Sequence, residues 1–165
     1  MATQPYNVLF LCTANSARSV MSEGALDVLG KGRFTCYSAG SKPSGRVNPH
    51  AVAMLETIGY DVSALRSKSW DEFGEADAPK MDLIITVCGN AKNEVCPVWP
   101  GHPTTAHWGY EDPHGETEEE KRASFEKIFA QILRRTEYLL SLGEDALSPE
   151  KIKETARLVG EFQVE

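Results

Sequence analysis

The chain has 165 residues, 41% hydrophobic and 25% charged, which suits one soluble domain able to bury a core without staples. Its 24 acidic residues against 17 basic ones give a net charge of −7, which argues against nucleic acid or an anionic membrane as partner. No apolar run reaches the ~18–20 residues of a membrane span, and the opening MATQPYN lacks the charged and apolar regions of a signal peptide, so the cytoplasm is the expected compartment.

In chain order, NVLFL is a short continuous apolar run, the pattern of a strand buried on both faces of a parallel sheet, and it stops at Cys12. From Arg18 to Leu29 the pattern turns helical, with Val20, Met21, Ala25, Val28 and Leu29 as a rough stripe and GKG closing it. RFTCYSAG is β-rich and stops at Gly40, with Cys36 on the Phe34 face as a buried thiol. SKPSGR is a loop. NPHAVAMLETIG reads as a helix: Asn48 is the N-cap, Pro49 the first helical residue, Ala51, Met54, Leu55 and Ile58 the apolar positions, and Gly59 the stop.

MDLIITVC is a second buried-strand run, and it too ends on a cysteine, Cys88. A weaker strand follows at TTAHWG, then the turn YEDPHG. Thr117 and Glu120 can form a capping box for the longest helix, whose apolar face is Phe125, Ile128, Phe129, Ile132, Leu133, Thr136 and Leu140. Gly143 breaks that helix, and SPEKIKETARLVGEF predicts one more, capped by Ser148.

Alternating strands and helices of these lengths imply β-α-β units, hence an α/β fold with a parallel sheet covered on both faces. Active sites in such sheets lie beyond the carboxyl ends of the strands, where both Cys12 and Cys88 fall. The stretch CTANSARS suits oxyanion chemistry there. A thiol reacts as thiolate, a form favoured at a helix N-terminus beside an arginine. The helix amides make an anion nest, Asn15 tolerates a left-handed backbone, Arg18 can grip an oxyanion through two hydrogen bonds, and Ser19 can donate to the thiolate. The competing reading, a buried strand-end cysteine near a surface arginine, also fits Cys-x5-Arg taken alone.

The stretch resembles the signature loop Cys-x5-Arg-Ser of the low-molecular-weight protein-tyrosine phosphatases and of the arsenate reductases built on the same fold, over about residues 7–140. Asp112 and Pro113 in HWGYEDPHG match the family's general acid and its proline. The resemblance implies a three-layer α/β/α domain over residues 1–142 with a four-stranded parallel sheet, and a C-terminal helical extension over 143–165. It also implies an oxyanion site at Thr13, Ala14, Asn15, Ser16, Ala17, Arg18 and Ser19, with Cys12 as nucleophile.

A phosphatase needs only Cys12, Arg18 and Asp112, and usually follows its Asp-Pro with aromatic residues; here His114 and Gly115 follow. Cys88 and Cys96, in VCGNAKNEVCPVWPGH, are similar to the cysteine pair with which the reductases relay oxidation away from the first cysteine. The resemblance therefore implies reduction of arsenate to arsenite, with phosphate or sulfate as competing oxyanions. It implies no tightly bound cofactor and an external thiol reductant, thioredoxin or glutaredoxin/glutathione, acting on a monomer. The alternatives are a phosphatase and a non-catalytic oxyanion-binding or redox-sensing module. The Cys88–Cys96 gap of seven residues is one longer than in the thioredoxin-coupled type, and Ala17 replaces a dispensable loop cysteine. Some relatives bind potassium through residues matching Asn15, Glu23 and Ser38 plus an acidic position that is Lys68 here, so no metal is expected. Cys88, Cys96, His102 and His107 do not have the spacing of a zinc finger or ribbon. Trp99, Trp108 and Tyr110 are expected as packing or lid residues.

Overall fold

The two apolar runs, the β-rich stretch and the weaker strand become four parallel strands. The computed structural model describes residues 6–73, 77–87, 104–111, 113–146, 148 and 150–162. Within it β1 (Tyr6–Cys12), β2 (Phe34–Gly40), β3 (Leu83–Thr86) and β4 (Thr104–His107) form one sheet of order β2-β1-β3-β4. Val8 through Cys12 are all buried, as a strand covered on both faces requires. In register, Cys12 stands beside Gly40 of β2, and Leu11 beside Thr86 of β3. The chain leaves β1 towards β2 on one side, whereas β3 leads to β4 on the other. The crevice between the carboxyl ends of β1 and β3 is therefore the topological switch point, the usual ligand site of such sheets.

The described helices are α1 (Arg18–Leu29), α2 (Pro49–Glu56), α3 (Glu118–Ser141), the single turn α4 (Gly143–Ala146) and α5 (Ile152–Glu161). Helices α1, α2 and α3 pack on one another, and α5 packs on β4 and α3. Val8, Leu9, Phe10 and Leu11 meet Val20, Met21, Ala25 and Leu26 in one core with Ile84, Ile85, Ile128 and Ile132. Each of these side chains other than Ala25 contributes about 1.5–3 kcal/mol on burial. No described helix is long and apolar enough to cross a membrane.

The expected helix faces need correction in three places. All eight residues from Ser19 to Leu26 are buried, so the first two turns of α1 have no stripe, and the last turn emerges with Leu29 39% exposed. The buried face of α3 runs Phe125, Ile128, Phe129, Ile132, Arg135, Thr136, Leu139, while Leu133 and Leu140 are only partly covered. That set keeps the i, i+3, i+4 period, which places Leu139 rather than Leu140 inward. The last helix begins at Ile152, not directly after Ser148, whose carbonyl instead accepts from Lys151 and Ile152 in a turn.

The caps follow local chemistry. Asn48 Oδ1 accepts from the His50 amide at 2.8 Å with Pro49 opening α2. Thr117 Oγ1 accepts from the Glu120 amide at 3.1 Å, while Glu120 reaches back to the Glu116 amide rather than to that of Thr117. Three glutamates in this first turn favour the positive end of the helix.

Candidate active site

Cys12, 5% exposed and carrying a thiol, ends β1 at the switch point. The loop after it turns its carbonyls outward onto protein donors. Thr13, Ala14 and Ser16 accept from the amides of Lys42, Ser44 and Asn48 at 2.9, 3.0 and 2.8 Å, and Ser67 Oγ adds a second bond to Ala14 at 2.9 Å. With the carbonyls bonded on the outer side, the amides of Ala14, Asn15, Ser16 and Ala17 have no acceptor among the described residues. Successive amides in this conformation form an anion nest at the start of α1. The stretch SKPSGR, read above as a loop, is thus the outer bracket of the site.

Asn15 holds the turn. Its φ of +50° is the one left-handed non-glycine backbone among the described residues, and its side chain is fully buried. Its Oδ1 accepts from the Lys68 amide at 2.9 Å, and its Nδ2 donates to Ser19 Oγ at 2.9 Å. Ser19, also fully buried, accepts that bond and so keeps its own proton to donate. Gly40 lies against the same turn. A Cβ there would come 2.4 Å from the Thr13 carbonyl oxygen and 3.0 Å from that of Cys12, so only glycine lets β2 approach this closely.

Arg18 opens α1, and its Nη1 donates to the Tyr110 carbonyl at 3.1 Å. That carbonyl belongs to the segment after β4, which continues along β3: Trp108 and Tyr110 donate to the carbonyls of Thr86 and Val87 at 2.8 and 3.2 Å. Val87 in turn donates to Leu11 at 2.9 Å. The described chain therefore stops one residue short of Cys88 beside the end of β1, and one residue short of Asp112 beside the tether of Arg18. Cys88, Cys96, Asp112, Trp99 and His102 lie outside the described residues. Past Asp112, Pro113 and His114 face Asn48 and His50 across a cleft of about 550 Å3 floored by Phe125.

Beneath the loop, Glu23 is buried and accepts from Ser38 Oγ at 2.5 Å and from Tyr60 at 3.3 Å. Burial raises its carboxyl above the usual value, against the lowering effects of Ser38 and of the Lys68 charge. Lys68 is partly buried rather than a solvated surface lysine. Burial lowers its ammonium, Glu23 opposes that, and Nζ donates to the Arg66 carbonyl at 3.4 Å. The acidic position of the aligned potassium site is thus taken by a partly buried ammonium whose charge acts on Glu23. No cluster of three or more His, Cys, Asp or Glu suited to a metal occurs among the described residues. Cys36 is buried, and burial followed by the charges of Asp27 and Glu23 raises its thiol well above the ordinary range, the opposite of what a nucleophile needs.

Two supporting residues escape a reading of the sequence. Arg135 is 4% exposed inside α3, though its spacing from Ile128 and Ile132 puts it on the buried face. The Tyr110 contribution is a main-chain carbonyl, which no residue type announces. Trp108, 1% exposed with its ring 6.0 Å from that of Phe10, is a packing residue and not a lid.

Residues 7–155 match the family model described as low molecular weight phosphotyrosine protein phosphatase, and the chain belongs to that family. Within it the chain is similar to curated arsenate reductases. The chain is 39% identical to one from Halalkalibacterium halodurans over 140 residues, which is 83% of this chain and 96% of the relative. It is 35% identical to a glutaredoxin arsenate reductase from a Synechocystis species, over 81% of this chain and 95% of the relative. A solved arsenate reductase in a phosphate-binding state superposes with a TM-score of 0.59 at 33% identity, covering 83% of this chain and 98% of its own.

Proposed function

We propose that the chain reduces arsenate to arsenite, with Cys12 as nucleophile and Cys88 as the thiol that takes up the oxidation. The observation that carries this reading is the pairing of an oxyanion cradle, Cys12 to Arg18, with a neighbouring strand, β3, that ends at Thr86, two residues before a second cysteine in the sequence. The similarity to arsenate reductases supports the substrate, since the cradle alone suits phosphate equally well.

In the proposed sequence arsenate sits in the loop amides with Arg18 on its oxygens. The Cys12 thiolate attacks arsenic and forms an S–As bond, while Asp112 gives its proton to the oxygen that leaves as water. The Cys88 thiolate then attacks the Cys12 sulfur. The S–As bond breaks with its electron pair going to arsenic, which passes from As(V) to As(III), and a Cys12–Cys88 disulfide forms. Cys96 attacks Cys88 and restores the Cys12 thiolate, leaving a Cys88–Cys96 disulfide for an external dithiol to reduce. The reductant is a thiol system, thioredoxin or glutaredoxin/glutathione. Bridging needs Cα atoms within about 7 Å, so the Cys88–Cys96 segment rearranges during the cycle.

The test is arsenite production with thioredoxin, with glutaredoxin/glutathione and with no reductant. Many turnovers are expected with one thiol system and at most one without. A phosphatase would use the same Cys12 and Arg18 and is the second reading, favoured by the family model itself. Fast hydrolysis of aryl phosphates, unchanged by Cys88→Ser and Cys96→Ser and without arsenite release, would establish it instead.

A further inference from the structure

We propose that Arg135, Trp108 and the C-terminal end of helix α5, from Ala156 to Phe162, act as a positioning device for Arg18, by fixing the carbonyl that orients its guanidinium. This rests on the reading of Arg18 as the group that grips the oxyanion.

The connection is continuous. Arg18 Nη1 donates to the Tyr110 carbonyl. The Tyr110 ring lies under the Arg135 guanidinium, 4.9 Å from its centre, and burial raises its hydroxyl to about 12 although Arg135 pulls it back. Arg135 also donates Nη1 to the Gly109 carbonyl at 3.2 Å and Nη2 to the Phe162 carbonyl at 2.8 Å. Phe162 is held by a stacked contact with Tyr138 of α3, ring centres 4.3 Å apart. On the other side, Trp108 Nε1 donates to the Ala156 carbonyl of α5 at 2.8 Å. Gly160 lets the helix sit this low, because a Cβ there would come 2.4 Å from the His107 carbonyl oxygen and 3.0 Å from the Trp108 ring.

Packing does not account for Arg135. A buried guanidinium carries a desolvation penalty of several kcal/mol, and a leucine would fill the same face of α3 at no such cost. What the guanidinium does that an apolar side chain cannot is tie together two carbonyls, Gly109 and Phe162, on segments that no described backbone hydrogen bond joins to each other. Ala156, Gly160 and Phe162 lie past residue 155, where the family match ends, so the device adds this chain's own residues to a site the family shares.

The experiment compares three variants that touch the device with one that loosens the same helix elsewhere. Gly160→Ala pushes α5 off His107 and Trp108; Trp108→Phe removes only the Nε1 bond; Arg135→Lys keeps the charge but loses the fork. Ile152→Ala is the control, two helical turns from Gly160 and buried at the far end of α5. Inorganic phosphate binding to the reduced full-length protein is measured by calorimetry, with melting temperature and arsenate KM and kcat. The device variants are expected to weaken phosphate binding and raise KM about tenfold, as displaced binding groups do, with kcat changing less. Ile152→Ala is expected to lower the melting temperature comparably and leave both constants unchanged. If Trp108→Phe and Arg135→Lys stay folded with phosphate affinity within about twofold of the parent, a range too small for a displaced guanidinium, the proposal is overturned. Phosphate binding reads the device even if the protein turns over no arsenate, so the two readings fail separately.

Discussion

On one flank of Arg18, Lys42, Ser44, Asn48, Ser67 and Lys68 bracket the loop from Thr13 to Ser16, none of them more than 53 positions from its partner, whereas on the other flank the Tyr110 carbonyl comes from 92 positions down the chain. The near flank is made of small residues, one left-handed asparagine and one obligatory glycine, all of which declare themselves by type. The far flank is made of carbonyls, a buried arginine and the packing of a late helix, none of which has a motif. The difference separates two tasks. On the proposed reading the near flank shapes the anion nest, and the far flank aims the Arg18 guanidinium at it.

Substitutions can break the two flanks separately. The largest effect is expected from Gly40→Ala, because the new Cβ meets the Thr13 and Cys12 carbonyls, which cannot move without reshaping the nest. Arsenate kcat/KM is expected to fall by roughly 100-fold, as for an ångström-scale misplacement of binding groups, and a loss under about threefold would mean that the nest tolerates displacement. Asn15→Ala removes one buried and one partly buried hydrogen bond and leaves the Lys68 amide without its acceptor, at a backbone angle alanine disfavours. The expected cost is about 2–3 kcal/mol of unfolding free energy in urea. A cost near zero would show the turn to be held by the bracket alone.

The smallest effect sharpens the comparison through pH. Burial holds the Glu23 carboxyl above its ordinary value of 4.5. A carboxyl raised in the folded state supports stability at low pH, and that support is lost as pH rises through the folded value. Glu23→Gln, which has no proton to lose, should therefore melt progressively higher relative to the parent chain as pH climbs from about 4 to about 8. Asp27, also raised by burial, is present in both chains. Melting curves with the same pH slope in both chains would show that Glu23 is not the buried acid described here.

Much of the near flank was legible because strand end, loop and helix start all fall on recognisable residues. β1 ends at Cys12, α1 begins at Arg18, β2 ends at Gly40, and α2 starts at Pro49 after its Asn48 cap, each as the residue types imply. Strand order was not legible, because continuous apolar runs specify burial on both faces but not which strand stands next to which. The role of Arg135 was open to inspection, since it falls on the Ile128–Ile132–Leu139 face, but charge usually signals a solvated position. The Tyr110 carbonyl and the seat of α5 on Trp108 depend on tertiary contacts that no periodicity encodes.

The central claim, that arsenate oxidises Cys12 through Cys88, is tested most directly in a Cys96→Ser chain, fully reduced and mixed with excess arsenate without external thiol. The relay cannot pass beyond Cys88 there, so about one arsenite per chain should be released while two thiols disappear, and peptide mapping should find Cys12 bridged to Cys88. Absence of arsenite, or a disulfide that leaves out Cys12, would contradict the account.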